Sequence, residues 1–590
     1  MKKNDIENKN EKKNVDLKSL AQQLSDMETE RERWIPVWQE IAKYISPGRG
    51  IFDKNEPNQG DRKDHYLLDP TPLQALHVLS AGLQGGLTSP SRPWFRLAVS
   101  NSELADYTPV RLWLDEVEKR MLHVLSQSNV YNALHMLYQE VGAFGIGCML
   151  VEEDEENVIR ALTLTVGEYC LSYGVGGLPN KFARSFWMTA RQMYEQFPEE
   201  NLSEAVRNAY ENKRLDEWFR ICHMIYPSDK EKSMRYTSVY WEEGRLDEEP
   251  LRVSYYSNFP VMAPRWEVVG QDFYGRGPGW DALGESKTLQ EMRKDYLVAQ
   301  KMMIQPPMVG PNTLRESHYD LRPNGITLVD DMKNPNQYFK PLYQIQPDLP
   351  GQINAMQDSR KILRDIFFAD LFLAIIMNQD KRMTATEVNA INQEQMMMIG
   401  PVYERLDHEL LDPFIGRTFS IMDRFGLIPQ PPEELDGQEL KIEYISMLAQ
   451  AQQMVGLGGI DRLTEFVGGV AQIQPEVLDK LDADETIDQY ARMLGVPAAI
   501  IRSDENVAEM RQQRAEQQQQ AQQMEQMSQM AQAANQGSGA LRNISQAQQM
   551  QPNSPEELQE IANIMETPQA KNPQATSLAA MLGVPQRGEM

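Results

Sequence analysis

Cysteine, histidine and basic residues are all scarce in this sequence of 590 residues. The three cysteines and seven histidines lack the close spacing that a zinc site needs, and unpaired cysteines favour a reducing compartment. Lys and Arg total 59 against 85 Asp and Glu, which gives a formal net charge of −26. This charge excludes a protein whose whole surface binds nucleic acid, because phosphate contacts need cations.

Long apolar runs are also missing. The longest covers residues 366–377 and carries Asp370, whereas a bilayer-spanning helix needs about 20 apolar residues. The run therefore predicts a buried helix, and no membrane contact is expected. Residues 1–16 are polar and lack the apolar core of a signal peptide, so they predict a disordered arm.

Helical periodicity at both ends of the first 425 residues flanks a β-rich middle. One amphipathic stretch covers 17–45, with an interruption near Pro36, and strand-like runs follow the helices that precede residue 148. The pattern predicts an α+β fold that is mainly helical. The expected strands are 182–189, 217–226, 235–243 and 251–263. The expected later helices are 277–305, 351–377 and a kinked helix from Thr384 through Pro401 and Pro413 to Phe425.

Three stretches invite a chemical interpretation. Residues 279–288 have the two glycines of a phosphate-binding loop, but the lysine comes two places late and Glu285 would face the phosphates. The acidic run 152–156 has oxygen ligands for a metal, yet consecutive carboxylates are typical of a solvated turn. No enzyme constellation emerges, and no cofactor is expected.

The third stretch, "GGLTSPSRPWFRL" at residues 85–97, contains two prolines that remove backbone N–H donors from any anion site. Arg92 is followed closely by Trp94 and Phe95. We expect these three residues to anchor a turn against a neighbouring element or a neighbouring subunit.

Four motifs then suggest a family. "GLTSPSRPWFRL" (86–97), "DFYGRGPGWDALGESKTLQEM" (272–292), "FFADLF" (367–372) and "RMTATEV" (382–388) occur in this order. Together they resemble the head-to-tail connector, or portal, proteins of short-tailed bacteriophages over about residues 20–430. Beyond that, only a Gln-rich helical character is similar, and its thin Met and Ala stripe predicts packing against copies of itself.

The resemblance implies a ring, usually of twelve identical subunits, at one capsid vertex, with double-stranded DNA passing through its channel. It also implies the parts of each subunit. These are a wing (17–276), a stem of two helices (277–305 and 351–377) around a clip (306–350), a tunnel loop (378–384), a kinked helix (385–429), a crown (430–540) and a flexible tail (541–590).

Site residues follow by position. The tunnel loop would present Asn378, Asp380, Lys381 and Arg382 to the DNA, although Lys381 and Arg382 could instead pair with nearby carboxylates. The second stem helix has no obvious cover within its own chain, which predicts a subunit interface. Its interface residues would be Phe367, Phe368, Leu371 and Phe372.

The implied partners are the terminase motor, the scaffold and major capsid proteins, and tail adaptor proteins. The implied location is the virion, after assembly in the host cytoplasm. Two other classes stay open: a packaging ATPase or nuclease, and a capsid or scaffold protein without a channel.

Overall fold

The computed structural model describes residues 15–53, 65–99, 107–228, 234–305, 348–377, 398–435 and 440–445, with shorter stretches elsewhere. The chain divides into two units, Met1–Val496 and Pro497–Met590. Within the second unit, residues 507–517 are helical. All elements below belong to the first unit, which is α+β and mainly helical as the sequence predicts.

The first helical stretch is two helices, α1 (Leu17–Arg31) and α2 (Ile35–Tyr44). Asp16 begins α1, because its side chain accepts hydrogen bonds from two of the free N–H groups of the first turn. Pro36 lies in the first turn of α2, where its missing N–H costs nothing. The interruption near Pro36 is thus confirmed.

A helical layer follows. It consists of α3 (Thr71–Leu87), α4 (Thr108–Gln127) and α5 (Val130–Phe144), with strand β1 (Phe95–Val99) between α3 and α4. Gly145 ends α5 in the left-handed conformation that glycine adopts without strain.

The β-rich middle forms two antiparallel sheets. Strands β2 (Cys148–Asp154), β3 (Val158–Leu164) and β9 (Val261–Met262) form one, in the order β3-β2-β9. The other has the order β4-β5-β6-β7-β8, and α1 covers one of its faces. Its strands are β4 (Tyr169–Tyr173), β5 (Pro179–Thr189), β6 (Trp218–Pro227), β7 (Tyr236–Glu242) and β8 (Arg252–Tyr256); helices α6 (Ala190–Gln196) and α7 (Glu204–Glu211) lie between β5 and β6.

The first predicted stem helix is present as α8 (Pro278–Ile304). The second is not one helix. It is α9 (Leu349–Ile366) and α10 (Ala369–Met377), separated where Phe368 adopts a left-handed backbone angle of 54°. A phenylalanine in this region is strained, and no glycine or proline marks the break in the sequence. Between α8 and α9, β10 (Met308–Val309) pairs with β11 (Lys340–Pro341).

The kinked helix runs over 398–424, through both prolines. Just before Pro413 it contains a π-helical turn, Asp407–Leu411, and continues as α11 (Asp412–Arg424). Strand β12 (Leu440–Tyr444) follows and pairs antiparallel with β1. Thus a strand in the range predicted as crown pairs with one in the range predicted as wing.

One continuous core joins helices α2 to α5, the start of α8, helices α9 and α10, and the kinked helix. Phe367, Leu371 and Phe372 are at most 2% exposed within it. Phe372 lies on α3 so closely that a Cβ at Gly82 would approach its ring to 2.2 Å. Phe368 is half-buried beside Trp266.

The expectation that this segment lacks cover within its own chain is therefore wrong. Helical periodicity showed that the segment is buried, but not which chain buries it. Because Phe367, Leu371 and Phe372 already fill the core of one chain, they have no surface to offer a neighbouring subunit.

We expect Phe372→Ala to lower the free energy of unfolding by about 3–5 kcal/mol, because it opens a cavity against α3. Phe425→Ala is the control, since that ring is 41% exposed at the end of the kinked helix. Thermal denaturation of both variants checks this. Equal melting temperatures for the two would contradict the burial of Phe372.

Candidate functional site

The turn predicted to be an anchor packs within its own chain. The ring of Trp94 is fully buried and its Nε1 donates to the hydroxyl of Tyr131 on α5 at 3.3 Å. Phe95 is also fully buried, as the first residue of β1. Arg92 is half-buried and donates to the carbonyl of Gly85 at 3.4 Å. Of the two alternatives, the neighbouring element is the one that contacts Trp94 and Phe95.

The same turn is hydrogen-bonded to the end of β12, the strand that follows the kinked helix. The backbone N–H of Ile445 donates to the carbonyl of Trp94 at 3.0 Å, next to the pairing of Tyr444 with Phe95. This contact links the turn to a segment some 350 residues later in the chain, as the two residue numbers show.

Asp69, just before α3, forms hydrogen bonds with both α8 and α9. Its carboxylate accepts two hydrogen bonds from Arg360 on α9, at 2.7 and 3.0 Å. Gln290 on α8 bonds both the N–H and the carbonyl of Asp69. Burial alone would raise the pKa of Asp69, but the bonds from Thr71 and Arg360 outweigh it and hold the pKa below its usual value.

Beyond the contacts with Asp69, the far, C-terminal half of α8 exposes apolar side chains. On α9, Ile353 and Ile362 are 36% and 46% exposed. A monomer rarely leaves so many large apolar residues together in water. The exposed set on α8 is Leu297 (42%), Val298 (42%), Met302 (36%), Met303 (49%) and Ile304 (72%).

A buried ion pair ties the kinked helix to the sheets. Glu409, in the π-helical turn, accepts from the backbone N–H of Arg265 and from two nitrogens of its guanidinium, at 2.7–3.1 Å. Both side chains are 8% exposed. The guanidinium also donates to the carbonyl of Gly177 at 2.9 Å and lies over the ring of Tyr173. Burial alone would lower the pKa of Arg265, but its interactions with Glu409 raise the pKa by more, so the net shift is upward.

Sequence reasoning missed this pair. Arg265 and Glu409 lie 144 positions apart in the chain, and no local pattern connects them. The only signal was Pro413, which predicted a kink at the right place but not the partner of the side chain there.

The stretch similar to a phosphate-binding loop and the acidic run considered as a metal site both have structural explanations. Residues 279–288 lie inside α8; a Cβ at Gly279 would come within 1.9 Å of the Ala143 carbonyl, and Lys287 pairs with Glu40 at 2.8 Å. The acidic run covers the end of β2 and the turn after it. Glu153, still within β2, pairs with Arg424. Within the described ranges, no three His, Cys, Asp or Glu are grouped to hold a metal ion.

The cysteines Cys148, Cys170 and Cys222 are buried, and none of the three forms a disulfide. In the part of the chain that the structure describes, no helix is long and apolar enough to cross a membrane. The tunnel-loop residues Asn378, Asp380, Lys381 and Arg382, and most of the clip, lie outside the described residues.

Comparison with known proteins gives the family. The family described as bacteriophage head to tail connecting protein matches residues 17–501. The chain belongs to this family. It is 37% identical over 502 residues to the portal protein of Salmonella phage epsilon15, covering 84% of this chain and 90% of that protein. It is 38% identical over 505 residues, with the same coverage, to the probable portal protein of Bordetella phage BPP-1.

A solved structure described as the neck of an empty GTA particle computed with C6 symmetry is also similar. It is 10% identical, covers 75% of this chain and 96% of that chain, and has a TM-score of 0.34. Membership of the connector family assigns this chain the portal role at a capsid vertex, in DNA packaging. That role is structural, and the chain is a virion component of the head-tail junction.

We expect Glu409→Gln to cost about 3–5 kcal/mol in the free energy of unfolding, because it leaves the Arg265 charge buried without its counterion. Chemical denaturation measures this. The double variant Arg265→Met/Glu409→Met should recover part of the loss, and Asp115→Asn, which breaks an exposed pair with Lys119, is the matched control. A denaturation midpoint that Glu409→Gln leaves unchanged would show that the pair does not fix the helix.

Proposed function

We propose that the chain closes into a ring of identical subunits, twelve in the form usual for the family, around a channel for double-stranded DNA. In this assembly α8 is the first stem helix, α9 and α10 together are the second, residues 306–350 are the clip and residues 378–384 the tunnel loop. We assign residues 17–276 to the wing and add β12 to it, because β12 pairs with β1. The crown then begins after Ile445.

The observation that carries the proposal is the exposed apolar half of α8. Its side chains point to several sides of the helix, since successive residues are rotated by about 100° at 3.6 residues per turn. A subunit in a ring has a neighbour on each flank and repeats one heterologous contact around the circle. A stem helix between two neighbours therefore buries apolar residues on more than one side, which the isolated chain leaves exposed.

The charge of the chain suits passage of DNA. An acidic protein does not trap a polyanion, and sequence-independent passage needs weak contacts. In the proposed ring, Asn378, Asp380, Lys381 and Arg382 form a narrow collar with two cations and one anion from each subunit. The terminase motor and tail adaptors would bind the clip, and the scaffold and major capsid proteins would be further partners during assembly in the host cytoplasm.

We expect the variant Leu297→Asp/Ile304→Asp to fold normally but to stop forming rings. The two positions are seven residues apart, so they lie on nearly the same side of α8. Both are exposed in one chain, so the cost appears only when a neighbour would bury the carboxylates.

Sedimentation velocity separates rings from monomers, and circular dichroism reports the fold. Lys294→Gln/Lys301→Gln, on the same helix, is the control that should leave rings intact. If Leu297→Asp/Ile304→Asp sediments as wild-type rings do, the stem is not the subunit interface.

A second variant, Lys381→Gln/Arg382→Gln, tests the collar. Rings should assemble normally, because exposed charges contribute only about 0–1 kcal/mol per pair to stability. Packaging should be incomplete or packaged DNA should leak, with a severity that varies with salt, since ions screen phosphate contacts. Genome content per particle, measured at several salt concentrations, is the readout. Particles that fill and keep a whole genome at every salt concentration would exclude a functional collar.

A further inference from the structure

Two aspartates lie on the same side of the kinked helix because of its π-helical turn. The N–H of Asp412 donates to the carbonyl of Asp407, five residues earlier, so these two residues stack one turn apart. Pro413 comes next and has no N–H for an ordinary helical bond. π-helical turns of this kind are frequent at functional sites. We call Asp407, Asp412 and their contact Tyr444 the carboxyl cluster.

The cluster connects the helix to strand β12. The hydroxyl of Tyr444 donates to Oδ1 of Asp412 at 2.5 Å. Tyr444 is the last residue of β12, directly opposite Phe95 in the paired strands. A change at the two aspartates therefore reaches the end of this strand and the Trp94 turn beside it.

Asp407 is incompletely satisfied where it lies. Its carboxylate contacts Tyr403, yet its buried Oδ1 has no hydrogen-bond partner in the described part of the chain. An ionised oxygen without a donor is costly to bury, whereas a protonated carboxyl removes that charge. The polar geometry thus favours the neutral acid.

The surrounding groups add to this preference. Burial raises the pKa of Asp407 to about 7, and the negative charges of Asp412 and Glu404 act in the same direction, while Tyr403 opposes them. From α5, Tyr138 faces Asp407; from β12, Tyr444 does. The His408 ring lies 3.9 Å from Asp412 and is mostly exposed.

We propose that the carboxyl cluster is a proton-dependent contact between the kinked helix and β12. With Asp407 protonated, β12 stays paired with β1 and bonded to Asp412. When Asp407 ionises, two carboxylates face each other beside the Tyr444 hydroxyl, and the end of β12 loosens. No ring, DNA or partner is required, so the inference is independent of the proposed channel.

The pH range follows from the direction of the shift. The pKa of Asp407 is higher in the folded chain than in the unfolded one, where it is near 3.9. Its favourable contribution is complete below about pH 4 and is lost as the pH rises through about 7. Protection of β12 should therefore fall as the pH rises from about 4 to about 7 and level off above that. An unperturbed aspartate is already ionised at about pH 6, so a fall that continues above this pH reports the shifted group.

Hydrogen–deuterium exchange of the full-length protein tests this, with intrinsic exchange rates corrected for pH. The amides of Leu440–Tyr444 should lose about tenfold in protection from pH 6 to pH 8. Asp407→Asn should keep the strand protected across the range. Tyr444→Phe should lower protection at every pH, since it removes the bond to Asp412.

Glu168 provides the matched control, because burial also raises its pKa, and its neighbouring charge is Arg184 on β5 and not a residue of β1 or β12. Glu168→Gln should leave the pH dependence of β12 unchanged. Two results would overturn the proposal: wild-type β12 protection that does not vary with pH, or an Asp407→Asn protein that keeps the wild-type variation. If Asp407→Asn fails to fold, Asp412→Asn is used, which should shift the loss of protection to lower pH or remove it.

Discussion

The buried pair of Arg265 and Glu409 fixes the position of the kinked helix against the sheets. Removing two charges from water is expensive, and attraction compensates only when both partners and their other bonds are in place. Here the backbone N–H of Arg265 also donates to Glu409. The guanidinium of Arg265 donates to the carbonyl of Gly177 and lies over the ring of Tyr173. A helix rotated or shifted by one residue would bury both charges without partners, so the pair permits one register.

Other contacts follow from that register, about two to four turns farther along the helix. They connect the same helix face to β2 and to the segment before β9. The contacts are Arg417 to the carbonyls of Val151 and Asn258, Ser420 to Asn258, and Arg424 to Glu153. At the other end of the core, Asp69 holds α8 and α9 together and Phe372 packs on Gly82. The far half of α8 exposes several large apolar side chains, and this surface is the basis for the proposed ring.

Local signals in the sequence predicted most of the elements. Pro36, the helical periodicity and the strand-like runs are properties of a few neighbouring residues, so the helix and strand order was readable. The break at Phe368 was not, since a left-handed phenylalanine has no sequence mark. The expectation that this segment lacks cover within its own chain was wrong for another reason: an apolar stripe shows that a helix is buried, but not whether its own chain or another covers it. The partners of Glu409 and Tyr444 are set by tertiary structure: Arg265 lies 144 positions from Glu409, and Asp412 lies 32 positions from Tyr444.

The central claim is that this chain forms a ring with an open channel. Electron microscopy of the purified full-length protein tests it most directly, because end-on views show subunit number and a central hole together. The account predicts closed rings of identical subunits with an opening wide enough for duplex DNA. A field of monomers, or of closed shells without an opening, would contradict it.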